Sequence, residues 1–129
     1  ATANSSEWEK FKAACSIPLA GGENLLSDRL LTEAFGWLDY IQPDIGKWGG
    51  VDGCFDIAKK AIAAGKVYCP HWLSGGIGLL HSAHALSAAG GKGLLEIDSN
   101  PNPLNHYYKT TSRSRGLAFF TWNKARYWH

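Results

Sequence analysis

At 129 residues and 14.0 kDa, the chain is long enough for one ordinary domain with a core, or for a piece of a larger one. A hydrophobic share of 45% against 19% charged residues supplies enough apolar surface to offset much of the entropy of ordering, which excludes a disordered polymer. The formal net charge of +2 singles out neither nucleic acid nor an anionic membrane as a partner.

Three cysteines, Cys15, Cys54 and Cys69, are an odd number at wide spacing. They fit reduced intracellular thiols better than a disulfide framework or a zinc site. No stretch approaches the roughly 18 apolar residues that span a bilayer, and residues 1–6 lack a charged-then-apolar leader. The expectation is a soluble, cytoplasmic chain, processed or excerpted since it has no initiator Met.

In chain order, residues 6–15 carry Trp8, Phe11, Ala14 and Cys15 at helical spacing, which predicts a short amphipathic helix with that stripe buried. Residues 16–20 read as a short strand, because Pro18 forbids a helix interior and Gly21-Gly22 ends the run. Ser27 as N-cap, Asp28 in the first turn, apolar Leu30, Leu31, Ala34 and Phe35, and Gly36 near the end signal a second helix. A strand follows at residues 38–42, then a helix at residues 51–64 with Ile57, Ala58, Ala61 and Ile62 on one face. Residues 67–70 form a third strand, the loop from His71 to Gly76 opens a helix that runs to about Ala89, and residues 94–97 form a fourth strand. Strands alternating with helices imply parallel pairing through right-handed crossovers, hence an α/β fold of about four βα units.

That repeat places Glu23, Asp44, His71 and Glu96, about 21 to 27 residues apart, at or near the C-terminal ends of successive strands. In α/β barrels active sites assemble on that rim, and acids or His are otherwise costly at buried strand ends. Singly, each residue reads as an N-cap, an ion-pair partner or a satisfied structural His. Together they offer a carboxylate for a hard divalent cation, a His with an acidic partner as a base, and a second acid to donate to a developing oxyanion.

The run Gly21-Gly22-Glu23-Asn24, then Gln42-Pro43-Asp44-Ile45-Gly46-Lys47-Trp48-Gly49-Gly50, Cys69-Pro70-His71, and Leu95-Glu96-Ile97-Asp98 followed by Asn100-Pro101-Asn102-Pro103-Leu104, resembles the mandelate racemase branch of the enolase superfamily. The resemblance covers about residues 6–104 and falls in the C-terminal half of that family's (β/α)8 barrel. It implies that Glu23 is a Mg2+ ligand, that Asp44 hydrogen-bonds the general acid/base His71, and that Glu96 hydrogen-bonds the substrate carboxylate, with Asp98 as runner-up. It further implies a Mg2+-dependent lyase or isomerase, an acid-sugar dehydratase or a racemase/epimerase, that abstracts the proton alpha to the carboxylate of a sugar acid or 2-hydroxy acid. In the muconate-lactonising and dipeptide-epimerase branches a Lys looks aligned with Asp44, which separates this chain from them.

Other residues have blander readings. Lys47 fits an ion-pair residue better than a base. His81 and His84, one turn apart, are a weak metal pair without a third ligand. Trp48 and Trp72 fit either a pocket wall or plain packing.

The family's second-strand base and the two metal carboxylates of its third and fourth strands are expected upstream of this sequence, so the Mg2+ ligand set on it is incomplete. Residues 1–104 are expected to form the barrel half. Residues 105–129, without an acid and crowded with Tyr107, Tyr108, Phe119, Phe120, Trp122, Tyr127 and Trp128 among Lys109, Arg113, Arg115, Lys124 and Arg126, form an atypical tail. Basic residues among aromatics can bind single-stranded nucleic acid, but without specificity, so that reading is disfavoured. The competing function is a catalytically incomplete folded fragment that associates with itself or with a complementary half-barrel through open strand edges.

Overall fold

A computed structural model describes residues 4–98 and 100, together with the backbone of residues 112–114 and 117–119. Its first helix, α1 (Ser5–Ala14), starts where the Asn4 side chain accepts from Ser6 N–H, and leads to β1 (Ala20–Gly21). Helix α2 (Asp28–Glu33) is capped as the sequence predicts, with Ser27 Oγ accepting from Leu30 N–H at 3.2 Å, and tightens into a 3₁₀ turn (Ala34–Gly36). Then come β2 (Tyr40–Ile41), α3 (Gly50–Ala63), β3 (Val67–Tyr68) and α4 (Gly76–Ala89).

The three strands pair in parallel in the order β1-β2-β3. The α/β architecture expected from the alternation is therefore present. Backbone bonds carry the β2–β3 register past the strands themselves: Cys69 N–H donates to Ile41 at 2.9 Å and His71 N–H to Pro43 at 3.1 Å. Tyr40 faces Val67 and, further along, Asp44 faces His71 in a parallel bridge. Register alone thus puts the two tip residues side by side.

Leu31, Ala34, Trp37, Leu38, Ile41, Ile57 and Ala61 form the main core between the sheet and helices α2 and α3. Ile45, Cys54 and Ala85 make a second cluster against Trp48 and Trp72, beneath the strand tips. The three cysteines are free thiols, and burial pushes the Cys54 thiol up to about 12, with the Asp44 charge adding to the shift. Burial raises Cys69 as well. Thiols so held stay protonated and act as small apolar residues, not nucleophiles.

Two expectations are corrected. The stripe on α1 is not buried: no residue of that helix is, and Trp8 and Phe11 are 43% and 51% exposed, packed edge to face on one another. A polar tie joins α1 to the rest, Lys12 Nζ to Asp39 Oδ2 at 2.5 Å. The expected fourth strand, residues 94–97, pairs in no ladder among the described residues. There Leu94 N–H goes to Cys69 Sγ at 3.3 Å instead of to a carbonyl, so the segment lies beside β3 without joining it.

Of the expected tail, 105–129, only the backbone of an antiparallel pair, β4 (Ser112–Ser114) and β5 (Leu117–Phe119), is described; its aromatic and basic side chains lie outside the described residues. No helix of the described residues is long and apolar enough to cross a membrane.

Candidate active site

Each tip residue is fixed by its own local device. Glu23 follows Gly22, whose φ of +126° turns the chain out of β1; a Cβ there would also meet Leu31 Cδ1 at 3.1 Å. Asp44 follows buried Pro43, and its Oδ1 accepts from Gly46 N–H at 2.8 Å while its carbonyl accepts from Lys47 and Trp48 N–H. His71 follows buried Pro70. Because Cys69 and His71 both donate to β2, the nitrogen of residue 70 turns the other way, and a proline there withholds nothing from the ladder.

These devices bring the four expected residues together. His71 Nδ1 lies 2.5 Å from Glu96 Oε2, and His71 Nε2 lies 2.6 Å from Glu23 Oε2. A carboxylate only accepts, so each contact is a charge-assisted hydrogen bond when the ring nitrogen carries its proton. The ligand atoms of Glu23, Asp44 and His71 lie within 4.8 Å of one another, close enough to surround a cation. Asp44 is 8% exposed, whereas Glu23, with its side chain 39% exposed, stands at the solvent side.

The pairing differs from expectation. His71 meets Glu96 and Glu23 at its two nitrogens, not Asp44, whose oxygens are taken by Gly46 N–H and, at 3.6 Å, by Lys47 Nζ. The physical reason is register: neighbours across a parallel bridge stand side by side, while the 93–98 segment, in no ladder among the described residues, brings Glu96 onto the imidazole. Glu96, expected to hydrogen-bond the substrate carboxylate, has its Oε2 on His71 Nδ1. Asp98, the runner-up, has its Oδ1 accepting from Asn100 N–H and Nδ2 in a local turn. His81 and His84 are exposed on α4, apart from the metal-capable group.

Sequence reasoning missed Gly46 and Gly78. The indole of Trp72 lies over both, so close to Gly78 that a Cβ would overlap the ring, and its Nε1–H donates to Gly75 at 2.7 Å. Trp72 therefore ties the loop after Asp44 to the segment after His71, and it packs against the cluster of Ile45, Cys54 and Ala85. The signal was present as small residues opposite a large one, but only tertiary proximity reveals which tryptophan needs them.

Comparison with known proteins supports this frame. The chain is 38% identical over 80 residues to D-galactonate dehydratase of Klebsiella pneumoniae (strain 342), covering 60% of this chain and 21% of that protein. It is 37% identical over 76 residues to D-galactonate dehydratase of Variovorax paradoxus (strain S110), covering 56% and 19%. The chain thus spans about a fifth of the length of these curated relatives.

A mandelate racemase/muconate lactonizing enzyme-like protein from Rubrobacter xylanophilus superposes with a TM-score of 0.69 at 27% identity, over 77% of this chain and 26% of that one. The 3,6-anhydro-D-galactonate cycloisomerase from Zobellia galactanivorans, at 22% identity, shares the fold with a TM-score of 0.77 over 89% of this chain and 34% of that one. Residues 2–115 match the family described as enolase C-terminal domain-like, nearly the whole span built above, and the chain belongs to that family.

Proposed function

We propose that this chain carries the acid–base end of an active site that removes the proton alpha to the carboxylate of a sugar acid or 2-hydroxy acid. One observation carries the reading: His71 is held between two carboxylates, Glu96 on Nδ1 and Glu23 on Nε2, at the C-terminal end of a parallel sheet. With Nδ1 on Glu96 the imidazole has one orientation, and Nε2, toward the more exposed Glu23, is the nitrogen that takes the proton once the substrate displaces Glu23 from it. The electron pair of the broken C–H bond passes into the substrate carboxylate and gives an enediolate. In a dehydration the enediolate expels the neighbouring hydroxyl, which leaves as water with the proton handed back by the His71 imidazolium; a racemisation needs a second proton donor on the other face. The relatives' name, D-galactonate dehydratase, favours the dehydration of a sugar acid.

Glu23 offers a hard oxygen donor of the kind Mg2+ prefers and would be one ligand of that ion, with Asp44 and His71 close by. When bound, Mg2+ supplies positive charge to a dianionic enediolate, as in other enolase-superfamily sites.

The test is exchange at the substrate's α carbon. In D2O with Mg2+, NMR of a panel of sugar acids and 2-hydroxy acids is expected to show loss of the α-proton signal. His71→Asn is expected to slow it by about 100-fold or more, the typical contribution of a positioned base. Exchange that His71→Asn leaves unchanged, or none at all from a folded chain, counts against the reading.

A second reading, an association module without turnover of its own, is favoured by the exposure of Trp8, Phe11, Ile17, Leu73, Ile77 and Leu94. Its partner would be a second copy or a complementary barrel segment.

A further inference from the structure

We infer that Trp72 is a positioning residue for the Asp44 carboxylate, which it holds in place beside His71 by fixing the turn at Gly46. The inference rests on reading Asp44 and His71 as members of one acid–base site. The two residues face one another across a parallel bridge, and their ligand atoms lie within 4.8 Å. The Asp44 side chain is 10% exposed, so its orientation depends on protein partners more than on water, and Gly46 N–H donates to its Oδ1 at 2.8 Å.

The direction of that N–H is set by the turn, and the turn is braced by the indole. A Cβ on Gly46 would lie 2.9 Å from Trp72 Cζ3 and 3.3 Å from Asp44 Oδ1, so this glycine stands between the ring and the carboxylate. Neither Gly46 nor Gly78 adopts a left-handed φ, so the missing Cβ provides room for the ring at both positions, not backbone freedom. The ring itself is held on several sides. Its Nε1–H donates to Gly75 at 2.7 Å, a Cβ on Gly78 would fall 2.1 Å from Cζ2, and the cluster of Ile45, Cys54 and Ala85 packs against it. Two consecutive residues after Asp44 therefore meet a side chain that directly follows His71 in the chain. One wedge thus sets both strand tips, and acid–base chemistry needs its groups held to a narrow range of orientations.

The experiment uses the full 129-residue chain in its natural sequence, as Trp72→Phe and as Gly46→Ala. Trp72→Phe removes the Nε1–H and the outer ring, whereas Gly46→Ala keeps the indole and pushes it off the turn. Two readouts are taken: amide hydrogen exchange by 1H–15N NMR, and α-proton exchange of the sugar-acid and 2-hydroxy-acid panel with Mg2+. In both variants protection of the residue 46 amide is expected to fall about tenfold relative to the Cys69 amide in the ladder, the scale of one charge-assisted hydrogen bond. A merely structural role would lower both amides alike. The kcat is expected to fall about tenfold with KM nearly unchanged, because Asp44 works on the imidazole and not on substrate binding. Where Trp72→Phe does not fold, Gly46→Ala carries both readouts. Protection of residue 46 that matches the natural chain overturns the inference, and so does a kcat that the loosened turn leaves unmoved. If residue 46 loosens while even the natural chain exchanges no α proton, the hold on Asp44 stands and the acid–base reading falls.

Discussion

Helices α1 and α3 both carry apolar residues at helical spacing, α3 the more strongly segregated of the two, and they have opposite fates. Helix α3 buries Cys54, Ile57, Ala58 and Ala61, while α1 buries nothing and leaves Trp8 and Phe11 in solvent. The difference lies across from the stripe. Helix α3 connects two paired strands and is flanked by α2 and α4, so its apolar face meets the core from both sides. Helix α1 precedes the sheet and is tied to it by the Lys12–Asp39 pair. Periodicity predicts a helix and which face is apolar; it does not predict that something covers that face.

The largest expected effect is in α3. Ile57→Ala removes a side chain 1% exposed at the centre of the main core and is expected to cost about 3 kcal/mol in urea unfolding, through lost transfer energy plus a cavity. A cost below about 1 kcal/mol would mean that this core collapses around the gap, and the contrast with α1 would weaken.

Next is the tie that replaces apolar packing at α1. The Lys12 ammonium, with Leu19 N–H, holds the Asp39 carboxyl below the usual carboxylate range. A carboxyl so lowered stabilises the fold above its unfolded-state value, and that stability is lost as pH falls through the lowered folded value. Asp39→Asn is expected to cost on the order of 1 kcal/mol at neutral pH, since both side chains are partly screened by water, and to flatten the acid limb of a stability–pH profile. An unchanged acid limb would place the anchoring of α1 elsewhere.

The smallest effect is on the exposed stripe. Phe11→Ala is expected to change stability by no more than about 0.5 kcal/mol in the isolated chain. A cost near that of Ile57→Ala would show that the stripe is covered in solution, and measurement of molecular mass would then show whether a second copy covers it.

Much of the fold was legible in the sequence because local chemistry dictates it. The Ser27 cap, the span of α3, the stop of α4 near Ala89 and the positions of β2 and β3 follow from side-chain oxygens, apolar period and breakers that act within a few residues. The gathering of Glu23, Asp44, His71 and Glu96 was legible for a related reason: a parallel α/β repeat sends every strand's C-terminal end to the same rim. Which carboxylate meets which nitrogen was not legible. Spacing ranks residues along a strand, whereas contact depends on how far each segment reaches across, and residue 96 reaches His71 because its segment is held by the Cys69 sulfur instead of by a ladder.

By itself, then, the sequence determined the α/β order, the parallel direction and the residue types at the rim, since each rests on interactions between near neighbours in the chain. Only the tertiary structure decided that α1 leaves its apolar face half exposed, that residues 93–98 run beside β3 in no ladder among the described residues, that Trp72 packs over Gly46 and Gly78, and that His71 binds Glu96 and Glu23 while Lys47 attends Asp44. Those outcomes depend on what stands opposite each group in space, and a one-dimensional pattern does not encode the opposite surface.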